Sequence, residues 1–387
     1  MPPRRRLGEL DKKKLWYLAA SALLALPLHM AHAQDVVVAH IGPMSGPLAG
    51  NGIANYEGAK AYFDQVNAQG GINGQKIRLV REDDQYKADE TIRLVQEVAK
   101  RDRPVAFINL LGSANVTAMF KDKTFDKVAT PFVGITPGAE ALRNPGSPWM
   151  FHVQAGDRAQ LRRVLTHLST IGLNKIAVVY QDIPFGKSGL GFVDEMAPGL
   201  KVEIAARIAA PSASEDFKAV AQQLKAANAK TYLMILTPNS GAAMVRDLRA
   251  AGDRTPIYSM SYVPASAILE KAPLKDAVGI ALAQVTPNPD VPHTPLSRDF
   301  RAAMDKFLPE VKARSSMQMI GYVNARIAGE AIRRAGPNPT PDKVAAALRQ
   351  LRVDLGGYLV DFPANGKNVG AEFVDIGVVD SRGKLMY

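Results

Sequence analysis

The sequence INLLGSANVTAMF, residues 108–120, joins a buried strand to a helix through small and polar residues. Ile108, Leu110 and Leu111 are apolar, residues 112–115 read Gly-Ser-Ala-Asn, and a helical pattern follows as far as Phe120. A helix begins with unpaired backbone N–H groups and a partial positive charge, so such a junction can hold a small anion. It can equally be a tight turn with a Ser or Asn cap. The remainder of the chain decides between these two interpretations.

Short β-branched runs alternate with amphipathic segments along the whole chain. The first half predicts strands at Val36–Ile41, Ile77–Arg81, Val105–Leu110 and Pro131–Ile135, and helices at Asn51–Gln69, Ala88–Arg101 and Val116–Lys127. The second half predicts strands at Ile176–Tyr180, Val202–Ile208, Thr231–Leu236 and Ile257–Met260, and helices at Ala159–Thr170, Ser214–Ala227 and Gly241–Ala251. In the first helix the spacing places Ile53, Tyr56, Ala59 and Phe63 on one face. Two series of this kind predict an α/β protein with two lobes, each a parallel sheet flanked by helices.

Small polar residues follow several of the predicted strands. In the first half these are residues 43–47 (Pro-Met-Ser-Gly-Pro), 112–113 (Gly-Ser) and 136–139 (Thr-Pro-Gly-Ala), and in the second half Asp182–Gly186, Pro238–Ser240 and Ser261–Tyr262. Ligands of open parallel sheets bind beyond the carboxyl ends of the strands. Two such rims facing each other across a hinge predict a cleft that closes on a small molecule.

The N-terminal residues are typical of a secretory signal peptide. Six basic residues between Arg4 and Lys14 precede the apolar run Leu15–Leu28, and Ala31-His32-Ala33 predicts cleavage after Ala33. Cleavage there leaves 354 of the 387 residues, enough for two domains. With no cysteine in the chain, disulfides, thiolate metal sites and a lipid-anchored mature N-terminus are excluded. We therefore expect a periplasmic protein.

Charge and motifs argue against nucleic-acid binding and catalysis. Without the leader, Lys+Arg fall from 48 to 42 and Asp+Glu from 37 to 35, a net charge of +7 that is scattered without a basic run. Residues 186–191 read GxxGxG, which differs from the dinucleotide-binding GxGxxG. His40, His152, His167 and His293 are isolated, so we expect core or surface histidines and no metal site. Asp83-Asp84 is interpreted as a loop-positioning pair, and we expect no catalytic residue and no cofactor.

Five blocks together resemble the leucine/isoleucine/valine-binding protein family of periplasmic receptors. They are IGPMSGPLAGNG (41–52), NAQGGINGQKIRLVREDDQY (67–86), LGSANVTA (111–118), TPFVGITPGAEAL (130–142) and IAVVYQDIPFGKSG (176–189). The resemblance implies two Rossmann-like lobes joined by three crossovers, with a ligand enclosed by hinge closure. We expect the first lobe to comprise residues 34–153 and 286–355, and the second residues 154–285 and 356–387, with crossings in Thr286–Pro295 and at Gly356-Gly357.

The same resemblance implies a set of ligand-binding positions. Ser113 and the segment Gly138–Glu140 would hold a ligand carboxylate, and glycine at 112 would let the backbone approach it. The implied binding residues are Asn51, Gly112, Ser113, Thr136, Gly138, Ala139, Glu140, Phe185, Thr237, Ser261, Tyr262 and Met317.

Two positions depart from the family pattern. Glu140 stands where amino-acid binders have a hydroxyl residue, and our register places Ser261 where they have the carboxylate that holds the ligand ammonium. A buried ammonium without a counter-charge costs several kcal/mol. Either Glu140 supplies that charge, or the ligand is an aliphatic or aromatic carboxylic acid; a third reading has Glu140 capping a helix or facing solvent. Of these ligand classes, we expect an amino acid before a carboxylic acid without an ammonium group.

The resemblance also implies partners. It predicts a monomer that delivers its ligand to the permease subunits of an ATP-driven importer in the inner membrane. The same lobes could instead present the ligand to a signalling receptor. Neighbouring permease and ATPase genes would favour import.

Overall fold

The computed structural model describes Met1 and residues 35–46, 48–136, 140–212, 214–312, 314–365 and 368–387. Apart from Met1, the predicted leader lies outside the described residues, as do Gly138 and Ala139 of the predicted site. No helix within these ranges is long and apolar enough to cross a membrane.

The first lobe begins with alternating strands and helices, as predicted. Its elements are β1 (Val36–Gly42), α1 (Ala49–Ala68), β2 (Ile77–Asp83), α2 (Ala88–Arg101), β3 (Ala106–Ile108), α3 (Ser113–Lys121), α4 (Thr124–Val128), β4 (Phe132–Val133), a 3₁₀ turn (Glu140–Leu142) and β5 (Met150–Phe151). The strands form one parallel sheet in the order β2-β1-β3-β4-β5. Strand β1, which lies between β2 and β3, is buried along its whole length, because helices cover both faces of the sheet.

The second lobe repeats this alternation after Phe151. Its elements are α5 (Asp157–Thr170), β6 (Lys175–Gln181), α6 (Pro184–Met196), β7 (Glu203–Ala210), α7 (Lys218–Ala226), β8 (Thr231–Ile235), α8 (Pro238–Ala250), β9 (Ile257–Ser259), α9 (Ala265–Lys271), α10 (Leu274–Ala277) and β10 (Ala281–Gln284). Strands β7, β6, β8, β9 and β10 run parallel in that spatial order.

The last part of the chain contributes helices and strands to both lobes. It contains α11 (Pro295–Phe307), α12 (Ser316–Ala335), α13 (Pro341–Arg349), β11 (Arg352–Asp354), β12 (Leu359–Asp361), α14 (Phe362–Asn365), β13 (Asp375–Val379) and β14 (Leu385–Met386). Helices α11 to α13 pack in the core of the first lobe. Strand β13 joins the second sheet antiparallel to β10, and β14 is antiparallel to β13. The sequence did not predict these two antiparallel strands.

The longest helices, α1 and α12, cross at two glycines. A Cβ at Gly58 would lie 1.8 Å from the carbonyl oxygen of Gln318, and a Cβ at Gly321 would lie 1.9 Å from that of Asn55. Neither distance is compatible with a side chain, so the two backbones touch here. This close approach turns Ile53 outward, where it is 41% exposed. The predicted apolar face of α1 was therefore wrong at Ile53, although Ala59 and Phe63 are buried on it.

A second difference concerns the predicted helix Val116–Lys127. The structure has two helices here, because Lys123 adopts a left-handed conformation (φ 58°) between α3 and α4. Helix α3 also begins earlier, at Ser113, so the glycine and serine of the opening stretch lie directly at its N-terminus.

The third chain crossing lies later than expected. Gly356 and Gly357 form the turn between β11 and β12, where Oδ1 of Asp354 accepts both of their N–H groups at 2.8 and 2.9 Å. After this turn, Tyr358 packs in the core of the first lobe and its hydroxyl donates to the carbonyl of Val153 at 2.6 Å. The packing thus places residues 356–365 and 368–371 with the first lobe, and the chain reaches the second sheet only at β13.

Candidate functional site

A cavity lies between the two lobes at the carboxyl ends of their strands. The cavity has a volume of about 50 Å³ and is partly open to solvent. Its lining is Leu48, Asn51, Tyr86, Leu111, Gly112, Ser113 and Thr136 from the first lobe, and Phe185, Thr237, Pro238 and Tyr262 from the second. Seven of the predicted site residues therefore meet here: Asn51, Gly112, Ser113, Thr136, Phe185, Thr237 and Tyr262.

Gly112 is required by the ring of Tyr86, a residue that the sequence did not predict as part of the site. Gly112 has φ 97°, and a Cβ there would lie 2.4 Å from Cε2 of Tyr86. The ring of Tyr86 thus lies against the backbone where β3 passes into α3. Tyr86 also lines the cavity, so the glycine makes room for a side chain of the site as well as for any ligand.

The Asp83-Asp84 pair positions the loops that form the first rim. Asp83 accepts hydrogen bonds from the Ser45 hydroxyl at 2.7 Å and from the Met44 and Gln85 N–H groups at 2.9 Å. Partial burial acts to raise the pKa of Asp83, but these hydrogen bonds, led by that from Ser45, bring it below its usual value. The interpretation of the pair as loop-positioning residues is confirmed.

Asp84 is fully buried and sets the conformation of Tyr86. Its Oδ1 accepts the Tyr86 N–H at 2.9 Å and its Oδ2 accepts the Thr91 hydroxyl at 2.7 Å. Asn115 of α3 donates to the Thr91 hydroxyl at 2.7 Å, which ties the loop to the helix that begins at Ser113. A signal for Tyr86 was present in the sequence, since it directly follows the Asp-Asp-Gln block.

The first rim presents hydroxyl groups and a helix N-terminus. Ser113 is the first residue of α3 and is buried, and Thr136 lies beside it because Leu111 and Thr136 form a parallel bridge. The first turn of a helix carries unpaired N–H groups and partial positive charge. Hydroxyls and N–H groups together suit an anionic oxygen.

The second rim is anchored by Gln181 at the end of β6. Its Oε1 accepts from the Thr237 N–H and hydroxyl at 3.3 and 3.2 Å, and its Nε2 donates to the carbonyl of Pro211 at 2.6 Å. Thr237 stands immediately before α8, so this pairing fixes the loop that faces the first lobe.

Two aromatic rings complete the second rim. Phe185 and Tyr262 meet edge to face with ring centroids 5.2 Å apart. The Tyr262 hydroxyl donates to Oδ1 of the fully buried Asp157 at 2.5 Å. Burial raises the pKa of Asp157 well above its usual value, and burial together with the Asp157 carboxyl raises that of Tyr262. Asp157 was missed in the sequence, where nothing marks it as close to Tyr262.

Three predicted residues lie elsewhere. Ser261 is buried beside Gln160, whose Oε1 accepts its N–H at 3.1 Å, so the neighbouring Tyr262 takes the place in the cavity. Met317 is buried in a small apolar cluster with Ala155, Val285 and Ile320 near the chain crossings. The expected positions of Ser261 and Met317 in the cavity wall were therefore wrong.

Glu140 also points away from the cavity. Its Oε1 lies 3.8 Å from Nε of Arg143, a side chain that is almost fully buried and donates to the carbonyl of Gln154 at 2.7 Å. Glu140 lines a separate open groove beside Arg158 and Arg162 of α5. Its predicted role as an ammonium partner finds no support in this geometry, because the buried guanidinium attracts the carboxylate away from the cleft.

The histidines take structural positions. His40 is fully buried and Asn109 donates to its Nδ1 at 3.2 Å; burial and, secondarily, Arg81 lower its pKa to about 3. His152 is also buried, with Nδ1 3.0 Å from the carbonyl oxygen of Ile135. In the part of the chain that the structure describes, no group of three His, Asp or Glu side chains could hold a metal ion.

A direct contact spans the cavity. Nδ2 of Asn51 on α1 donates to the backbone carbonyl of Tyr262 at 3.4 Å. The two lobes therefore touch through a polar bond at the rim of the space that they enclose.

The chain matches proteins of one family over nearly its whole length. Residues 35–380 match the family described as periplasmic binding protein. A solved extracellular ligand-binding receptor from Verminephrobacter eiseniae is 34% identical, with 91% of this chain and 100% of that one covered and a TM-score of 0.83. A substrate-binding periplasmic protein from Ralstonia solanacearum is 32% identical, with 91% and 99% covered and a TM-score of 0.85.

A curated relative carries the family name that the sequence blocks suggested. It is Leu/Ile/Val-binding protein homolog 8 of Brucella abortus, 23% identical over 94% of this chain and 92% of the relative. Proteins of this family bind substrates and are not enzymes. This chain therefore belongs to the periplasmic binding protein family.

Proposed function

We propose that this protein is the substrate-binding component of an ATP-driven importer and that its ligand is a small carboxylic acid with an apolar or aromatic body. The observation that carries the choice of ligand is the charge of the cavity. Its described lining combines hydroxyls, amides and three aromatic rings with no Asp, Glu, Lys or Arg side chain. The hydroxyl and amide groups of this lining can bind the anionic end of a ligand, and the aromatic and other apolar groups contact the rest of it.

The carboxylate would lie on the first lobe. Ser113 and Thr136 offer hydroxyls there, and the N-terminus of the nine-residue helix α3 offers N–H groups. The Tyr86 hydroxyl lies on the same rim, since its oxygen would be 3.0 Å from a Cβ at Gly112. Each charge-assisted hydrogen bond contributes about 1.5–3 kcal/mol. Three of them supply about 4.5–9 kcal/mol, compared with about 8 kcal/mol for micromolar binding, so burial of the apolar body contributes to the affinity as well.

An α-amino acid is the second candidate, and the cavity suits it less well. Its ammonium would need a carboxylate, but Glu140 faces Arg143 and Asp157 accepts the Tyr262 hydroxyl. Burial also favours the neutral form of Asp157. An ammonium enclosed without counter-charge costs several kcal/mol. We therefore place the carboxylic acid before the amino acid, which reverses the order expected from the sequence.

The fold itself accommodates both ligand classes. A solved binding protein from Thermus thermophilus with bound valine is 20% identical, and one from Rhodopseudomonas palustris in complex with 3,4-dihydroxy benzoic acid is 21% identical. Each covers 91% of this chain, with TM-scores of 0.80 and 0.77. Likeness at this level concerns the fold alone, so the choice of ligand rests on the side chains of this cavity.

The mechanism is closure of the two lobes on the ligand. A ligand held by Ser113 on one rim and packed against Phe185 on the other stabilises the closed form through contacts that the open form lacks. The bond between Asn51 and Tyr262 adds to the same state. We propose that a monomeric closed form docks on the permease. The alternative role is presentation of the ligand to a signalling receptor.

The experiment is a thermal-shift screen followed by calorimetry on the hits. The panel contains benzoates, phenylacetate and branched aliphatic acids, each matched with the amino acid that adds an ammonium to a similar body. A ligand at a hundredfold excess over its dissociation constant stabilises the protein by about 2.7 kcal/mol, which the screen detects. We expect shifts with the plain acids. Shifts confined to the amino acids would refute the proposed ligand class.

A further inference from the structure

A second cavity lies on the first lobe, apart from the space between the lobes. It has a volume of about 310 Å³, and the lining given by the described residues shares no residue with that of the interlobe cavity. Its walls come from the C-terminal half of α1, from α11 and α12, and from β11 with the residue that follows it. Small-molecule sites in proteins have volumes of about 300–1,000 Å³. This second cavity is therefore large enough for a small ligand.

The base of the second cavity is aromatic and aliphatic. Tyr62, Val66, Tyr322 and Leu355 line it and are buried. The rings of Tyr62 and Tyr322 meet edge to face, with their centroids 5.5 Å apart. A Cβ at Gly329 would lie 2.7 Å from the Tyr62 hydroxyl oxygen, so this glycine of α12 makes room for the phenol. The base can pack against the carbon skeleton of a ligand.

Two arginines of α12 line the cavity above this base. Arg326 and Arg333 are seven residues apart, which is close to two helical turns, so they lie on the same face of the helix. Nη1 of Arg326 donates to Oδ2 of Asp299 at 3.0 Å, and Nη1 of Arg333 donates to Oε2 of Glu330. These ion pairs hold the guanidiniums at the cavity. Because a guanidinium carries five N–H donors, the pairs leave further donors for a ligand.

Positive charge exceeds negative charge at this cavity. The described lining carries two arginines and two carboxylates, but Glu330 is shared with a third arginine, since Nε of Arg334 donates to its Oε1 at 2.9 Å. The local balance of these five groups is one net positive charge. Partly exposed ion pairs contribute only about 0–1 kcal/mol, so a ligand carboxylate can compete for the guanidiniums.

The uncharged polar groups of the lining also offer donors. The Tyr322 hydroxyl donates to Oε1 of Gln65 at 3.2 Å, which engages the acceptor of that amide and leaves its NH₂ group for a ligand. Burial raises the pKa of Tyr62, although Arg333 and Arg326 act against it, so its hydroxyl is protonated at neutral pH. The guanidinium of Arg333 lies beside that hydroxyl and can only donate, so the phenol proton remains for an acceptor. Donors of this kind suit an anion.

We infer that the second cavity is an accessory binding site for a small organic anion with two or more carboxylate groups. Arg326 and Arg333 would each receive one carboxylate, and Tyr62 and Gln65 would donate further hydrogen bonds. The carbon skeleton between the carboxylates would lie on the aromatic base. This site goes beyond the proposed function and does not rest on it, because the two cavities are lined by different residues.

Calorimetry with citrate and succinate tests this inference, with butyrate as the comparator of similar length and a single carboxylate. We expect a dissociation constant below about 1 mM for citrate or succinate. Butyrate should bind at least about tenfold more weakly than succinate, because it engages one guanidinium instead of two. In Ser113→Ala, which alters the interlobe cavity, the affinity for citrate and succinate should stay within about twofold.

Arginine variants locate the bound anion. Arg326→Gln and Arg333→Gln should each weaken binding of the tighter probe about tenfold or more. Arg334→Gln is the matched control, because it removes the same charge from the same helix. Arg334 is absent from the described lining and contacts Glu330 and the carbonyl of Arg352. Its replacement should change the affinity less than about threefold.

Thermal unfolding shows whether each variant is folded. Where a glutamine variant fails to fold, lysine at the same position keeps the positive charge but loses the planar pair of donors that a carboxylate accepts from arginine. Arg326→Lys and Arg333→Lys should therefore still weaken binding of the tighter probe, by about threefold or more.

Each result bears on the inference. Dissociation constants above about 1 mM for both citrate and succinate, or equal affinity for succinate and butyrate, would overturn the ligand class. Unchanged affinity in both Arg326→Gln and Arg333→Gln, or an equal loss in Arg334→Gln, would overturn the location. Weaker binding of citrate and succinate in Ser113→Ala would show that they occupy the interlobe cavity, and the accessory site would then be wrong.

Discussion

Asn51 of the first lobe and Tyr262 of the second are joined by a hydrogen bond of 3.4 Å from Nδ2 to the backbone carbonyl. Both residues line the interlobe cavity, so this bond forms where the lobes meet around the ligand space. A bond that exists only when the lobes are together stabilises the closed state and strengthens ligand binding by up to the same free energy.

Asn51→Ala should therefore weaken ligand binding about two- to tenfold, corresponding to the loss of about 0.5–1.5 kcal/mol. Calorimetry measures the change. Asn67→Ala on the same helix is the control, because Asn67 pairs with the backbone of Ile77 inside the first lobe. Asn67→Ala should lower the stability of the protein without altering its affinity for the ligand. Equal losses of affinity in the two variants would contradict a specific role for Asn51.

Ser113→Ala should weaken binding of the carboxylate about tenfold or more, because the ligand loses a charge-assisted hydrogen bond. Thr117→Ala is the matched variant on the same helix. The Thr117 hydroxyl donates to the carbonyl of Ser113 at 2.7 Å, and Thr117 is absent from the cavity lining given by the described residues. Affinity should stay within about twofold in that control. An unchanged dissociation constant for Ser113→Ala would remove Ser113 from the proposed site.

Gly112→Ala should destabilise the protein by about 2 kcal/mol or more. Its φ of 97° is unfavourable for alanine, and the new Cβ would meet the Tyr86 ring at 2.4 Å. Gly191→Ala in helix α6 is the control, since a Cβ there meets nothing within 4 Å. That change should raise stability by about 0.5–1 kcal/mol. Urea unfolding compares the two, and a Gly112→Ala protein as stable as the unaltered one would contradict the packing of Tyr86.

His40 should make stability depend on pH between about 6.5 and 3. In the unfolded chain the ring gains a proton near pH 6.5, whereas burial keeps it neutral in the folded protein down to about pH 3. The unfolded state then binds more protons in this window, so the free energy of unfolding falls as the pH falls, by up to about 1.4 kcal/mol per pH unit.

His40→Gln provides the measurement. Glutamine can accept the hydrogen bond from Asn109 but does not titrate, so its unfolding free energy should fall less steeply from pH 6.5 to 4. Comparing the two proteins cancels the pH dependence that other groups contribute in both. Buried His152 contributes a pH dependence of the same sign as His40, and Asp157 one of the opposite sign. Parallel pH profiles for the two proteins would show that His40 does not contribute.

Much of the architecture was readable in the sequence because it depends on local patterns. The predicted helix Ala88–Arg101 has the same bounds in the structure, and the strand beginning at Val36 differs by one residue at its end. Gly112 and Ser113 could be placed at a strand end facing a cleft for the same reason. Hydrophobic runs and glycine positions carry that information directly.

What the sequence did not reveal depends on contacts between distant segments. Ile53 is exposed because α1 touches α12 through Gly58 and Gly321, more than 260 positions apart in the chain. The pairing of Asp157 with Tyr262 likewise joins residues 105 positions apart. No local sequence pattern predicts either contact.

A one-residue difference separates Ser261 from Tyr262, and it decides which chemistry faces the ligand. The strand before them ends at Ser259, and the loop that follows buries Ser261 against Gln160. A register taken from resemblance alone cannot resolve such a step, because successive residues of a loop point in different directions. The consequence is that a tyrosine, rather than a serine, borders the second half of the cavity.

A crystal structure of the protein with its tightest-binding carboxylic acid tests the central claim most directly. The account predicts electron density for the ligand between the lobes, with its carboxylate within hydrogen-bonding distance of Ser113 and its body against Phe185. A ligand bound outside this cavity, or one whose carboxylate points to the second lobe, would contradict it.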